Sequence, residues 1–329
     1  MNDQSWPQDE WQTFYSALKK RLEEECSSVL QEAHLLAGLQ VLTSGRLMRS
    51  DLIRAAAGLL SPKLVEACLA MELLHTSTLV HDDIADNSST RRGHRTISAL
   101  HGDASAMMIG DMIAARSAQV AVECMPKYLQ RIFFKTYYQV SRGQACEISS
   151  RFNTKRTIDN YLSVVEDKTV AMMQLSLEIG MYFAGAKPWQ TKELRHAITA
   201  LGLGFQILDD IEDVTSWLSH HNLHQSKESD LDIKTGNYTL PVILALATSP
   251  DVMNPMQISN EKVWRDSLEQ SKQAAHDYLD GSLNIVRQVQ PGNGMEQGVT
   301  SRIVAWITGF SDDLRKRSLD EALTLTSFN

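Results

Sequence analysis

Apolar residues recur at every third or fourth position through most of the chain, the spacing that puts them on one face of an α-helix. One such stripe runs from Leu64 to Leu79. Proline, the residue that helix interiors exclude most strongly, is absent from 63–125, 127–187 and 189–240. Few stretches alternate between polar and apolar residues as a half-buried strand would. The pattern predicts a nearly all-α protein whose helices surround a large core.

A different composition marks residues 215–240, which are rich in Ser, His and Asp. We expect a long connection here, of the kind that often covers a binding site, and we interpret it as an active-site loop. The chain shows no internal repeat of fixed period. Its 329 residues could form two domains by length alone, but one large helical domain is also within range, and we expect a single domain, 1–329.

Composition and charge narrow the class of protein. The net charge of −8 argues against a general nucleic-acid binder, which needs basic residues to contact phosphates. The four cysteines show no CxxC spacing and are expected to be reduced thiols. The acidic N-terminus lacks the pattern of a signal peptide, and no apolar run approaches the roughly 20 residues of a membrane span. We expect a soluble cytoplasmic protein with no transmembrane segment and no nucleic-acid partner.

The pattern Asp-Asp-x-x-Asp occurs twice, and its aspartates are Asp82, Asp83, Asp86, Asp209, Asp210 and Asp213. On a helix, this spacing puts carboxylates one turn apart on the same face, where like charges repel. The residues before each cluster are mostly apolar and include no Lys or Arg, so the compensating charge must come from elsewhere. Mg²⁺, which binds a few carboxylates together with substrate phosphates, would supply it. A solvated acidic helix end is the competing interpretation, but two such clusters favour metal ions that grip a diphosphate with an apolar tail.

The residues around these clusters resemble the trans-polyprenyl diphosphate synthases, a family of class I isoprenoid synthases, over nearly the whole chain. The motifs that carry the resemblance are Glu72-Leu73-Leu74-His75, His81-Asp82-Asp83, Arg91-Arg92-Gly93, Gly110-Asp111, Lys168-Thr169, Gly204-Phe205-Gln206-Ile207-Leu208-Asp209-Asp210 and Gly236-Asn237-Tyr238-Thr239-Leu240-Pro241. The resemblance implies an isoprenoid synthase bundle of roughly ten or more helices around a deep central cavity. It also implies two substrates, isopentenyl diphosphate and an allylic prenyl diphosphate, with about three Mg²⁺ ions per active site and Mn²⁺ as an alternative. The expected assembly is a homodimer, although some long-chain members need a second, different subunit.

By this resemblance, Arg46, Arg49 and His75 bind isopentenyl diphosphate. The family usually has Gly-Lys-Arg-x-Arg-Pro around the two arginines, whereas this chain has Arg46 for the lysine, Leu47 for the next arginine and Ser50 for the proline. Arg46 and Arg49 keep the three-residue spacing that aims both at one phosphate group. Leu47 removes one charge, and the missing proline is interpreted as a detail of the helix start. Without the resemblance, a histidine on an apolar stripe is more typical of a core.

The resemblance also implies roles for basic residues that follow the clusters. Arg91 is expected to reach the allylic diphosphate and Arg92 the isopentenyl diphosphate, with a solvated turn as the alternative. Lys168 is expected to act on the allylic diphosphate as a catalytic residue, beside Thr169. Its alternative is a surface lysine that pairs with the neighbouring Glu166 or Asp167.

Three further polar residues complete the implied site. Gln206 is expected to stabilise developing carbocation charge or to hold a phosphate. Lys227 matches the family's Gly-Lys position, with Ser226 in place of the glycine. Asn237 stands where short-chain members often have a second lysine, and because medium- and long-chain members often have Gly-Asn there, we interpret it as a mark of a subfamily.

The implied reaction is head-to-tail chain elongation. Metal ions on Asp82, Asp86 and Asp209, with the other three aspartates as further or supporting ligands, draw diphosphate from the allylic substrate. The double bond of isopentenyl diphosphate then attacks the allylic cation, and a proton is lost.

Product length is expected to depend on the residues just before the first cluster. Short-chain members tend to have an aromatic residue four or five positions before the first aspartate, where this chain has Thr78 and Ser77. These small side chains predict a product of C20 or longer, with Met107 and Met108 as candidates for a deeper floor of the cavity.

Three alternatives share part of this chemistry. A terpene cyclase also ionises an allylic diphosphate, but it needs no second diphosphate site and usually has a different second metal motif. A non-catalytic regulatory subunit of a heteromeric synthase typically lacks aspartates in one cluster, and both are intact here. A relative that prenylates peptides would be expected to lose the isopentenyl diphosphate site, and Leu47 keeps this alternative open.

Overall fold

The computed structural model describes residues 8–35, 37–58, 60–187, 191–221, 231–289 and 297–325. The first α-helices are α1 Gln8–Glu32, α2 Leu39–Thr43, α3 Met48–Ala57, α4 Pro62–Ala85, α5 Ile97–His101, α6 Asp103–Cys124 and α7 Lys127–Ser149. They are followed by α8 Ile158–Val165, α9 Ala171–Phe183, α10 Lys192–His221, α11 Leu231–Thr235, α12 Leu240–Ala247, α13 Glu261–Gln288 and α14 Gln297–Leu325. A π-helical turn (Glu166–Val170) links α8 to α9, Pro255–Gln257 form a 3₁₀ turn, and β1 (Thr90–Arg91) pairs with β2 (His94–Arg95) in an antiparallel hairpin.

Local side-chain chemistry decides where several helices begin. At the start of α4 the backbone N–H of Leu64 donates to the Ser61 side chain, and Pro62 occupies the first helical position. Thr157 caps α8 in the same way. These caps matter because the first N–H groups of a helix have no partner within it.

Backbone contacts divide the chain into two compact units, of which the first contains Met1–Tyr137 and Leu175–Gly185. Its central helix is α4, which packs along α6 and also contacts α1, α3 and α5. Leu69, Met71 and Leu73 of α4 are fully buried. A helix that is apolar all round in this way forms the core of its unit.

The second unit contains Tyr138–Gln174 and Ala186–Asn329. Its main contact joins α10 to α13, and α12 and α14 pack against the same pair. Trp217 of α10 meets Trp264 of α13 edge-on, with ring centroids 5.4 Å apart. This pairing holds the later turns of α10 against α13.

The prediction of an all-α chain with ten or more helices is confirmed for the described residues, and the short hairpin is an addition to it. Within those residues, no helix has both the length and the apolar character that a bilayer span requires. The single domain and the deep cavity stay predictions.

The predicted loop over 215–240 is wrong at both ends. Helix α10 continues to His221, and α11 and α12 form before the stretch ends. The helix continues because Val214 and Trp217 extend its apolar stripe and are buried. Residues 222–230 lie outside the described part of the chain.

Gly180 of α9 lies where α9 and α3 of the first unit approach each other closely. A Cβ at this position would collide with the backbone oxygen of Ile53 and with Ala56, both on α3. Gly180→Ala is therefore expected to lower the free energy of unfolding by about 1–3 kcal/mol. Gly309→Ala on α14, where nothing lies within 4 Å of the new Cβ, is expected to raise it by about 0.5–1 kcal/mol. Urea denaturation measures both, and a neutral Gly180→Ala would contradict the close approach of α9 and α3.

Candidate active site

The first acidic cluster lies at the C-terminal end of α4, and its three carboxylates have different surroundings. Asp83 is only 3% exposed, and its Oδ1 accepts a hydrogen bond from Arg91 Nε at 2.7 Å. Burial raises the pKa of the Asp83 carboxyl, and Arg91 opposes this. Asp82 and Asp86 are partly exposed and lie one helical turn apart. The outer two aspartates are thus the accessible pair, and the middle one holds Arg91.

The hairpin after the cluster carries both arginines that follow it, Arg91 and Arg92. Its turn consists of Arg92 and Gly93, with φ of 52° and 78°. Positive φ at both central residues is typical of a type I′ hairpin turn. Arg91 reaches Asp83, and a Cβ at Gly45 would lie 3.1 Å from Arg92 Nη1, so Arg92 lies against the segment that carries Arg46.

Arg46, Arg49, His75 and Arg92 form a second group of the first unit, here called the arginine cluster. The Nε of Arg49 is buried and has no hydrogen-bond partner among the described residues. Burial lowers the pKa of the Arg49 guanidinium to about 10, and the charge of Arg92 acts in the same direction. The pKa of His75 is also lowered well below its usual value, mainly by burial and to a smaller extent by repulsion from the charge of Arg49. Guanidinium groups gathered around a partly buried arginine form a ready site for an anion such as a diphosphate.

Glu72 belongs to a motif named above, but the sequence assigned it no role. Its carboxylate is 4% exposed and accepts two hydrogen bonds from Ser50, from the backbone N at 3.1 Å and from Oγ at 2.6 Å. Helix α3 begins after Leu47, whose side chain caps nothing, so Glu72 supplies the acceptor for its first turn. Ser50 is therefore more than a detail of the helix start, because proline has no N–H to donate. An acidic residue inside the apolar stripe of α4 was the available signal.

The second acidic cluster lies within α10 and repeats the arrangement of the first. Asp210 is 4% exposed, and its Oδ2 accepts a hydrogen bond from the Tyr161 hydroxyl at 2.5 Å. Its Oδ1 accepts from Gln206 Nε2 at 3.0 Å. Asp209 is partly exposed and Asp213 is exposed. The middle aspartate is again the buried one.

Lys168 and Thr169 lie in the π-helical turn, a local irregularity that often occurs at functional sites. Lys168 Nζ pairs with Glu147 Oε1 at 2.6 Å, a partner that the sequence did not indicate. Thr169 Oγ1 donates to Gln206 Oε1 at 2.8 Å. The turn is thereby connected through Gln206 to the second acidic cluster.

The remaining predicted residues have different positions. Ser77 is fully buried and its hydroxyl donates to the Leu74 carbonyl at 2.7 Å, whereas Thr78 is partly exposed. Thr78 is therefore the accessible one of the two predicted chain-length residues. Lys227 lies outside the described residues.

The chemistry of the accessible carboxylates fits Mg²⁺. Within the described part of the chain, no group of three or more His, Cys, Asp or Glu residues is arranged to hold an ion by itself. Mg²⁺ usually takes only one or two carboxylates and completes its shell with water and substrate phosphates. Asp82 and Asp86 offer such a pair of oxygen donors, and Asp209 and Asp213 offer a second.

Known proteins match this chain over most of its length. The Polyprenyl synthetase family matches residues 33–278, a range that includes both acidic clusters. Heptaprenyl diphosphate synthase component 2 of Geobacillus stearothermophilus is 30% identical over 236 residues, which are 68% of this chain and 72% of that protein. Nonaprenyl diphosphate synthase of Mycobacterium tuberculosis is 31% identical over 198 residues, or 60% and 58%. The crystal structure of heptaprenyl diphosphate synthase from Staphylococcus aureus superposes with a TM-score of 0.74 at 25% identity, covering 92% of this chain and 98% of that one.

Ser50→Pro tests the contact between Ser50 and Glu72. Proline is tolerated in the first turn of a helix, so the main effect is the loss of both donors to a buried carboxylate. We expect the free energy of unfolding to fall by about 1–3 kcal/mol. Ser50→Ala, which keeps the backbone N–H, is the matched control and should lose less. Equal stability of Ser50→Pro and the wild type in urea denaturation would contradict the role of Glu72.

Proposed function

We propose, from the premise that this chain belongs to the polyprenyl synthetase family of prenyltransferases, that it condenses isopentenyl diphosphate with an allylic diphosphate in head-to-tail elongation. One observation carries the proposal: besides two acidic clusters, the chain keeps a separate group of neighbouring guanidinium groups, those of Arg46, Arg49 and Arg92, suited to a second diphosphate. A terpene cyclase has no use for that group, and a peptide-prenylating relative would be expected to lose it.

The arginine cluster is the proposed site for isopentenyl diphosphate. Arg49 offers a buried Nε with no partner among the described residues, and Arg92 is held beside it by the hairpin turn. Arg46 adds a third guanidinium, and the planar fork of arginine suits phosphate oxygens. With its pKa lowered, His75 is neutral at pH 7 and can donate or accept one hydrogen bond.

The accessible aspartates are the proposed ligands of Mg²⁺, namely Asp82, Asp86, Asp209 and Asp213. When bound, Mg²⁺ neutralises the charge that develops on the allylic diphosphate as it leaves. Asp83 and Asp210 serve a different purpose, because both are buried and hold Arg91 and Tyr161 within the protein. They keep the turns of their helices in place while the neighbouring carboxylates hold the ions.

Gln206 and Lys168 are proposed to support the second cluster. Both ends of the Gln206 amide are engaged, with Thr169 at Oε1 and Asp210 at Nε2, so we assign it to alignment of the aspartates. Glu147 holds the Lys168 ammonium in place through their ion pair. To contact a leaving diphosphate, Lys168 gives up this ion pair and pairs with the diphosphate. Exclusion of water from the allylic cation supplies much of the remaining catalysis.

The product is proposed to be a long chain. Thr78 leaves the turn before Asp82 without an aromatic side chain, and relatives include proteins named as heptaprenyl and nonaprenyl diphosphate synthases. Products of C35–C45 are supported by these relatives.

The assembly has two candidates. The resemblance to the family favours a homodimer, whereas the relatives named as component 2 of heptaprenyl diphosphate synthase support a heteromeric enzyme in which this chain is one subunit. A cytoplasmic location stays a prediction. Assay of the pure chain with and without a candidate partner subunit distinguishes the two assemblies.

Incubation of the protein with labelled isopentenyl diphosphate, farnesyl diphosphate and Mg²⁺ tests the proposed reaction. We expect longer prenyl alcohols after dephosphorylation and chromatography. Asp82→Asn should lower the rate at least about a hundredfold because it removes a metal ligand. Asp266→Asn, at an exposed position of α13, should leave it unchanged. No turnover by the wild type, alone or with a partner subunit, would contradict the proposal.

Thr78→Phe tests the assignment of the chain-length residue. An aromatic side chain on the accessible face of α4 is expected to shorten the product, as seen by chromatography of the prenyl alcohols. Ser77→Phe has no room, because Ser77 is fully buried, and is expected to lower stability instead. An unchanged product distribution from a folded Thr78→Phe protein would argue that the floor lies elsewhere.

A further inference from the structure

Arg156 is a buried cation in the segment before α8, at only 5% exposure. A guanidinium removed from water must find hydrogen-bond acceptors, or the fold loses several kcal/mol. Its Nη1 donates to Asn237 Oδ1 at 3.0 Å and to the Tyr238 carbonyl at 2.9 Å. Its Nε donates to Asn160 Oδ1 at 3.1 Å. Arg156 therefore joins the start of α8 to the segment that precedes α12.

The segment that contains Asn237 is docked closely enough to hold this contact in place. Gly236 has a φ of 78°, and its carbonyl accepts a hydrogen bond from Phe152 N at 2.9 Å. A Cβ at Gly236 would lie 2.6 Å from the Phe152 ring. Asn237 itself is 9% exposed, so its side chain is directed into the protein.

The same guanidinium supports the tyrosine that holds the second acidic cluster. Arg156 Cζ lies 5.8 Å from the centroid of the Tyr161 ring, within the range of a cation–π contact. Tyr161 is 3% exposed, and its hydroxyl donates to Asp210 Oδ2 at 2.5 Å. A continuous set of contacts thus runs from Asn237 through Arg156 and Tyr161 to Asp210.

We propose that Arg156, held by Asn237, positions Tyr161 so that its hydroxyl fixes Asp210, and that Asn237 serves this support and does not bind the diphosphate substrate. Arg156 and Tyr161 are positioning residues for the second metal-binding cluster. The metal-binding role of the second acidic cluster rests on the proposed function. The contacts from Asn237 to Asp210 are those of the fold and do not depend on it.

This arrangement explains why asparagine and not lysine occupies position 237. A lysine there would remove the oxygen that Arg156 donates to and would place a second cation against a buried guanidinium. An aspartate, by contrast, would keep the acceptor and add an opposite charge. Lysine at position 237 is therefore expected to weaken the network and aspartate to keep it, whereas a residue that binds phosphate would favour lysine over aspartate.

The test compares the wild type with Tyr161→Phe, Asn237→Lys and Asn237→Asp. Tyr278→Phe, in the half-buried part of α13, is the matched control for loss of a tyrosine hydroxyl. The readouts are the Tm without ligand, the rise in Tm on addition of inorganic diphosphate as Mg²⁺ is titrated, and product formation. The first two do not depend on turnover.

Tyr161→Phe is expected to raise the Mg²⁺ concentration for the half-maximal rise in Tm roughly tenfold, as loss of a hydrogen bond to a metal-site carboxylate does. Tyr278→Phe should leave that concentration unchanged. Asn237→Lys should lower the Tm without ligand and weaken the Mg²⁺-dependent rise, and Asn237→Asp should keep both close to those of the wild type.

Two results would overturn the inference. One is a Mg²⁺ dependence of Tyr161→Phe equal to that of the wild type. The other is an Asn237→Lys protein that keeps its Tm and reaches the half-maximal rise in Tm at a lower Mg²⁺ concentration, because that is the behaviour of a side chain that binds the diphosphate. If the wild type makes no product while Tyr161→Phe still shifts the Mg²⁺ dependence, the proposed reaction fails and the positioning network stands.

Discussion

A carboxylate buried in an apolar helix must be neutralised or hydrogen-bonded, because water is no longer there to stabilise its charge. Both acidic clusters meet this constraint with their middle aspartate. Asp83 accepts a hydrogen bond from Arg91 Nε, and Asp210 accepts hydrogen bonds from the Tyr161 hydroxyl and the Gln206 amide. Once that residue is satisfied from within the protein, the first and last aspartates of each cluster remain at accessible positions of the helix, where oxygen donors for Mg²⁺ are needed.

The arginine cluster faces the same constraint with positive charges, because guanidinium groups removed from water also need hydrogen-bond acceptors or an opposite charge. Three guanidinium groups and a histidine near one another would destabilise the fold if they had no counter-charge. Glu72 provides one inside the unit, and it also caps α3 through Ser50. The Nε of Arg49 still has no partner among the described residues, so the proposed anion completes what Glu72 begins. Stability and substrate binding are therefore linked at the start of α3.

The sequence predicted the features that depend on local spacing. The helical periodicity, the positions of the two acidic clusters on helices and the resemblance to a family of prenyl synthases all follow from residues close together in the chain, and the structure and the comparisons confirm the fold and the family. The features that were missed join residues far apart in sequence. Ser50 with Glu72, and Arg156 with Asn237, are such pairs, and no local pattern indicates which donor will meet which acceptor. Composition wrongly predicted a loop at 215–221. The polar residues between Val214 and Trp217 obscured the apolar stripe by which α10 continues.

The central claim is a division of labour within each cluster, in which accessible aspartates bind metal and buried ones organise the helix. A crystal structure with Mn²⁺ and a non-reactive allylic thiolodiphosphate, with the ions located by anomalous scattering, tests it most directly. The account predicts Mn²⁺ on oxygens of Asp82, Asp86, Asp209 and Asp213, with Asp83 still bound to Arg91 and Asp210 still bound to Tyr161. Ions coordinated by Asp83 or Asp210, with those hydrogen bonds broken, would contradict it.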